Sequence, residues 1–270
     1  MQFEQLIYDV RDRIVTITFN RPDRMNALTK VMERELREAM ERAGQDPEVR
    51  AIILTGAGRA FCAGMDMDEL EILPPEDIRA QEWMRPYDMN RRADYQTRYS
   101  YFPSVQKPII AAINGAAAGL GLVMSLYSDI RFASETAVFA TAFAKRGLIA
   151  EHGIAWMLPR LVGPGHAADL LFSSRKVGAT EALQMGLVNR LVKPESLLDE
   201  ARAYAQDLVN NVSPRSVRVM KRQLWESPYQ SLGEAVMSAN HEMFLSIQSE
   251  DFREGVAHFL ERRSPFFTGK

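Results

Sequence analysis

Two stretches of this chain carry glycine at spacings that present backbone, rather than side chains, to whatever lies above them. The first is Asn114 to Asp129, N-G-A-A-A-G-L-G-L-V-M-S-L-Y-S-D. Gly115, Gly119 and Gly121 permit backbone angles and close approaches that a Cβ forbids. Behind them Leu122, Val123, Leu126 and Tyr127 read as the start of a buried helix. Such a helix start aims free N–H groups and a positive dipole end into the space above the glycines, a setting for negative charge on a ligand. The second stretch, G-A-G-R-A-F-C-A-G-M-D-M-D-E-L, follows the apolar run Ala51 to Thr55. Gly64 suits a tight turn, and Asp66, Asp68 and Glu69 suit the first turn of a helix from Met67 to Leu73. Two strand–glycine loop–helix units can each present one N–H to a shared cleft. Paired donors of that kind fit the holding of a thioester carbonyl whose oxygen gains charge as an enolate or tetrahedral adduct forms. Each donor is worth about 2.7–4 kcal/mol of barrier.

Other chemistries fit less well. The spacing G-x-x-x-G-x-G matches no dinucleotide fingerprint, and no Lys-Ser/Thr follows it for phosphates. Ile109 to Tyr127 is a run of nineteen uncharged residues, long enough for a membrane span. Its three glycines, five alanines, Asn114 and Ser125 make it weakly apolar, and Lys107-Pro108 marks a strand entry, so no membrane span is expected. The four histidines (152, 166, 241 and 258) show no ligand spacing, and no metal is expected. Cys62 is the single cysteine. It excludes an internal disulfide framework, reads as a small buried hydrophobe rather than a thiol nucleophile, and fits a reducing, cytoplasmic setting. The first residues hold early acids and no apolar core of a secretory signal. With 33 basic and 35 acidic residues, net charge −2, nothing invites nucleic acid.

The elements that must position the loops follow from the pattern. Ile14 to Phe19 alternates as a strand and ends at the turn Asn20-Arg21-Pro22-Asp23. Thr29 can cap a helix to about Gln45 that buries Met32, Leu36, Ala39, Met40 and Ala43. Further strands are expected at Ala51 to Thr55, Pro108 to Ile113, Ile130 to Ala133 and Ala137 to Ala140. Alternation of strands and helices predicts an α/β core, large enough at 270 residues and 46% hydrophobic to be substantial. Between Leu73 and Val105, prolines and a polar, Arg-rich, aromatic run suggest a solvated helix or a substrate-side wall. Trp83, Tyr87, Tyr95, Tyr99 and Tyr101 there either line a tunnel or simply pack. From about Pro194 strands stop. Ser196 to Val209, Ser213 to Trp225, Ser231 to Leu245 and Ser249 to Leu260 read as helices, each with serine at the N-cap and with Pro214 in a first turn. Residues 1–194 then form the core and 195–270 an appended helical region that covers the core, a neighbouring subunit, or both.

The sequence resembles the crotonase, or enoyl-CoA hydratase/isomerase, superfamily over nearly its full length. The matching segments are N-R-P-D-R-M-N-A-L at 20–28, A-F-C-A-G-M-D at 60–66 and K-P-I-I-A-A-I-N-G-A-A-A-G-L-G at 107–121. Then come S-D-I-R-F-A-S at 128–134, G-L-I-A-E-H-G at 147–153, L-P-R-L-V-G at 158–163 and A-L-Q-M-G-L-V-N-R-L-V at 182–192. The resemblance implies a spiral of ββα units, a C-terminal helical trimerisation region, a homotrimer or dimer of trimers, and an acyl-CoA substrate that brings its own coenzyme A, with no separate cofactor. It places the oxyanion hole at the N–H groups of Met65 and Leu120, beside Ala63, Gly64 and Gly119. Leu120 stands where relatives often carry glycine. Arg24 and Ala27 fall in the segment that holds the pantetheine and adenine portions, with Asp66 nearby. Phe259 and Arg262 fall in the C-terminal part that reaches coenzyme A, the arginine toward phosphate.

The same resemblance shows where the chemistry departs. Hydratases of the family resemble one another in using two glutamates, one three residues past the central oxyanion position and one four residues before the glycine of G-L-I-A-E-H-G. Here Val123 and Phe143 stand there, and neither transfers a proton; both are expected to line the acyl pocket with His152. Glu151 stands where some relatives carry a catalytic aspartate and is the expected acid/base. It precedes an apolar helix from Ile154 to Leu158, so burial would raise its pKa while a helix start would lower it. Three readings follow. One is double-bond isomerisation or slow hydration through an enolate. A second is hydrolysis of a C–C bond or thioester with Glu151 or His152 activating water. The third is acyl-CoA binding without turnover.

Overall fold

The computed structural model describes residues 3–71 and 88–270. The strands are β1 (Leu6–Arg11), β2 (Ile14–Phe19), β3 (Ala51–Gly56), β4 (Ala60–Cys62) and β5 (Ile109–Ile113), followed by β6 (Ala116–Ala118), β7 (Ile130–Ser134), β8 (Val138–Ala140), β9 (Val177–Gly178) and β10 (Arg190–Val192). They form two sheets, a six-stranded one in the order β1-β2-β3-β5-β7-β10 and a four-stranded one in the order β4-β6-β8-β9. β1 and β2 are antiparallel, while β2, β3, β5, β7 and β10 run parallel. Each of the pairs β3–β4, β5–β6 and β7–β8 gives its first strand to the large sheet and its second to the small one. A helix follows each pair: α2 (Met67–Glu71), α3 (Leu120–Tyr127) and α4 (Ile154–Ser173). This is the spiral of ββα units expected for the α/β core.

The parallel strands bury both faces, as they must when helices or strands cover each side. Val15, Ile17, Ile52, Leu54, Ile109, Ala111 and Ile113 point into the larger core with α1 (Lys30–Gln45). Ile14, Ala51, Ile53, Ile110, Ala112 and Phe132 point the other way, against Leu197, Ala201, Ala205 and Val209 of α6 (Leu197–Asn211). The first helix of the C-terminal region therefore seals the second face of the core sheet. α1 carries its predicted cap: the Thr29 hydroxyl accepts from the Met32 N–H, and all five predicted apolar positions are buried.

The remaining helices are α5 (Ala179–Gln184), α7 (Pro214–Glu226), α8 (Leu232–Ser246) and α9 (Glu250–Glu261). Ser213, Ser231 and Ser249 cap as expected, Ser231 in a full capping box with Glu234. Ser196 does not; its backbone is already helical, so its hydroxyl caps no N–H. The α4 helix is interrupted at Gly163, whose φ of 78° and ψ of 160° precede Pro164. Leu224, Leu232, Met237, Phe244, Phe259 and Leu260 are exposed apolar side chains on α7 to α9. Among the described residues no helix is long and apolar enough to cross a membrane. Trp83, Tyr87 and the end of the helix predicted to Leu73 lie outside the described residues.

Candidate active site

The two glycine loops meet because their strands are neighbours. β4 and β6 pair in parallel, Ala60 opposite Ala116 and Cys62 opposite Ala117, so the chain leaves both at the same edge. Glycine is required at the crossing. A Cβ on Gly121 would lie 2.0 Å from the Cys62 carbonyl oxygen, so helix α3 starts hard against β4. A Cβ on Gly64, at φ 102°, would come within 3.0 Å of the Ala118 oxygen and 3.7 Å of the Leu120 nitrogen. The two predicted donor loops are therefore in van der Waals contact. Leu28 bridges to Met65 through Leu28 N–H to Gly64 O (2.7 Å) and Asp66 N–H to Leu28 O (2.9 Å). No hydrogen bond among the described residues takes up the N–H of Met65 or of Leu120, the latter being the first residue of its helix.

The asparagines of the two motifs fix these loops from behind. Asn26, buried and at φ 56°, donates to Ala57 O and Ala60 O and accepts from Arg21 N–H. Asn114 donates to Gly58 O and Ala60 O and accepts from Gly56 N–H. Arg21 was not foreseen. Its Nη1 reaches both Ala27 O and Asp66 Oδ2, each at 2.7 Å, clamping the 20–28 segment to the Met65 loop. The hydrogen bond from Arg21 holds the Asp66 carboxyl below its usual range. In this chain Asp66 is thus buried and engaged by Arg21, with the Asp68 N–H on its other oxygen, rather than turned out toward a ligand. Its proximity to Arg21 could not be read from a separation of 45 residues.

Above the donors lies a cavity of roughly 240 Å³ lined by Ala63, Gly64, Met65, Gly119 and Leu120 on one side and by Thr141 to Phe143, Glu151 and His152 on the other; Met67, Arg146 and Leu148 complete it. Phe143 and His152 line it as expected. Val123 does not: it is buried in the core on α3. Leu148 and Thr141 carried no signal in the sequence.

Glu151 and His152 are carried on a strained turn. His152 (φ 53°) and Gly153 (φ 76°) are successive left-handed residues before α4. The Tyr127 hydroxyl holds the turn by donating to the His152 carbonyl at 3.0 Å, and a Cβ on Gly153 would collide with that hydroxyl at 2.7 Å. Glu151 and His152, adjacent in sequence and so free to point apart, place Oε2 and Nε2 3.7 Å from each other. Burial depresses the His152 pKa to about 4, with the Arg98 charge adding to the effect, so the imidazole is neutral near pH 7 and the contact is no ion pair. Tyr99 packs edge-on against the ring at 5.4 Å. For Glu151, burial raises the pKa, with the Arg98 charge opposing.

Three of the residues expected to meet coenzyme A, Arg24, Phe259 and Arg262, lie on the surface. Arg24 is exposed beside Asp68, 3.2 Å away. Phe259 is 76% exposed on α9, and Arg262 caps that helix in a left-handed conformation at φ 55°. In a single chain the last two do not line the cavity with Met65 and Leu120. Cys62 is buried and its thiol is pushed up to about 12, which makes it a packing residue.

The spiral of ββα units with two free N–H groups beneath a cavity defines a class, and sequence comparison agrees with it. The enoyl-CoA hydratase/isomerase family profile matches residues 9–270, and the chain belongs to that family, the crotonase superfamily of lyases and isomerases acting on acyl-CoA. It is 32% identical to the 1,2-epoxyphenylacetyl-CoA isomerase of Escherichia coli K12 over 99% of both chains. It is 36% identical to a probable enoyl-CoA hydratase of Rhodobacter capsulatus over the full length of both. Among solved structures it is similar to the enoyl-CoA hydratase of Bacillus anthracis, with a TM-score of 0.90 and 30% identity over 99% of this chain and all of that one.

Proposed function

We propose that this chain is an acyl-CoA isomerase that moves a proton between carbons of an enoyl thioester, using Glu151 as its acid/base. One observation carries the reading: among the described residues lining the cavity, Glu151 is the single carboxylate. It faces two backbone donors with no acceptor of their own. Hydration divides its work between a base on water and a second acid. Isomerisation needs one group that takes a proton and returns it. The carboxylate removes a proton from C2 of a 3-enoyl-CoA, the electron pair passes into a dienolate, and the charge collects on the thioester oxygen. The Met65 and Leu120 N–H groups stabilise that oxygen. Glu151 then delivers the same proton to C4, leaving the 2-enoyl product. A raised pKa suits this, because a base must also be a competent acid, and neutral His152 adds no competing charge.

Arg24, Ala27 and Ala63 would meet the coenzyme A portion. Phe259 and Arg262 would do so once α7 to α9 of a second copy, in a homotrimer or dimer of trimers, lie against their exposed apolar faces. Leu224, Leu232, Met237, Phe244, Phe259 and Leu260 are exposed on these helices, apolar surface that such a neighbour would cover. The names of similar proteins include both reactions, a 1,2-epoxyphenylacetyl-CoA isomerase and a probable enoyl-CoA hydratase, so the single carboxylate and not the names carries the choice of isomerisation.

The test is Glu151→Gln. Turnover of 2- and 3-enoyl-CoA should fall to the uncatalysed level while the dissociation constant for a saturated acyl-CoA stays within about twofold. Unchanged turnover overturns the assignment. Release of free coenzyme A by the unmodified protein would indicate hydrolysis instead. Saturable binding with no turnover over a broad panel would indicate a binder.

A further inference from the structure

Beyond the catalytic cavity, on the far side of His152, lies a second and larger one of roughly 520 Å³. His152 lines both. Its walls come from regions far apart in sequence: Tyr95 from the polar, Arg-rich segment, Tyr127 from the end of α3, Trp156 from the first turn of α4, and Trp225 and Tyr229 from the end of α7 and the turn after it.

Five aromatic rings could be ordinary packing, but two of them, Trp225 and Tyr127, have their polar handles engaged by fixed partners. The Trp225 indole donates to Asp129 at 3.2 Å, and the Tyr127 hydroxyl donates to the His152 carbonyl. Asp129 is itself fixed by the buried Lys221 at 2.7 Å and by the Ile109 N–H. The rings are paired in near-parallel stacks, Tyr127 with Trp225 (6.2 Å, 14°) and Trp156 with Tyr229 (5.5 Å, 13°). Arginines brace the second stack, Arg160 over Trp156 at 3.9 Å and Arg92 over Tyr229 at 5.0 Å. Arg98 also lines the chamber, but its guanidinium is paired with Glu33. The result is a recess open on one side, with flat aromatic walls and the polar Asp94, Thr97 and Ser100 among its lining, whose volume is several times the roughly 150 Å³ in which a benzene ring is known to be held.

We propose that this chamber seats an aromatic ring at the distal end of the acyl group, so that the substrates are aryl-terminated acyl-CoA thioesters rather than straight-chain ones. The assignment rests on the catalytic reading above. With the thioester oxygen at Met65 and Leu120 and the reacting carbons at Glu151, the rest of the acyl group would enter the chamber past His152, the one residue among those described that lines both cavities. A saturated chain entering it gains only from area removed from water. An aryl group gains in addition from face and edge contacts with rings already held in place, and the walls lose little freedom on binding.

The experiment is calorimetric binding of non-reacting thioesters to the full chain: 4-phenylbutanoyl-CoA against the carbon-matched decanoyl-CoA, with butanoyl-CoA as the short reference. The aryl ester should bind roughly three- to tenfold more tightly than decanoyl-CoA, the fold-change expected from aromatic pairing. Trp156→Ala and, separately, Tyr229→Leu should each bring that ratio close to one. Both side chains are partly exposed, so the fold should survive either change. A ratio near one in the unmodified protein, or a ratio that neither substitution alters, overturns the proposal. The readout needs no turnover. A normal Glu151→Gln enzyme would sink the catalytic reading while leaving the aryl preference measurable, and loss of the preference with intact Glu151 dependence would sink only this one.

Discussion

The two walls of the catalytic cavity are built on opposite principles. The wall from β4 and β6 is main chain. Gly64, Gly119 and Gly121 let two loops touch, two asparagines hold them from behind, and the groups offered are N–H donors whose side chains matter little, so a leucine can stand at 120. The opposing wall, Thr141 to His152, offers side chains on a turn with left-handed residues, and its chemistry depends on how deeply each is buried. A main-chain wall changes little under substitution so long as the glycines stay. A side-chain wall changes its reaction when one residue changes.

Substitutions on the two sides should fail in different ways. The largest effect is expected from Glu151→Gln, which removes turnover but not binding. Gly64→Ala comes next. At φ 102° with the Ala118 oxygen in its path, a methyl group displaces the Met65 N–H. The expected loss in kcat is about 10²–10³, the cost of one oxyanion donor, measured on protein whose circular dichroism is unaltered. A loss below tenfold would mean that Met65 is not a donor. Asp66→Ala should cost about 2 kcal/mol by urea unfolding, since the Arg21 charge loses its partner. Because the clamp sits behind the main-chain wall, kcat should fall less than tenfold.

The side-chain wall also makes a pH prediction. A base with a raised pKa must be deprotonated to act, so kcat/KM should rise with pH through a single limb placed above the ordinary carboxylate value of about 4.3. That limb should vanish with Glu151→Gln. His152 contributes no limb near 6.5, because its pKa is held at about 4. Its effect is on stability. With a folded pKa below the unfolded one, its contribution is fully present above about pH 6.5 and is lost as pH falls toward about 4. The total is at most roughly 3 kcal/mol. His152→Asn keeps a residue that tolerates the left-handed backbone and should flatten that part of the stability profile. An unchanged profile would mean that the imidazole is solvated.

The wall of the two glycine loops was legible in the sequence because glycine is a local signal. Its spacing after an apolar run announces a turn and a helix start whatever the rest of the chain does, and the resemblance then assigned Met65 and Leu120. The helices were equally legible, since α1 and α7 to α9 announce themselves by capping residues and apolar period. Arg21, Thr141 and the aromatic chamber were not. Arg21 meets Asp66 across 45 residues. Trp156 and Tyr229 stack only because α4 and the turn after α7 pack side by side. Val123 was placed in the pocket by analogy of position, yet the helix turns it into the core.

The sequence by itself determined the ββα alternation and the glycine loops, because each is a matter of residue identity and short-range spacing. Only the tertiary structure decided that the loops touch, that Glu151 and His152 share one cavity, and which way their protons are biased. Those depend on burial and on neighbours brought together from across the chain, and desolvation is a property of the surroundings rather than of the residue.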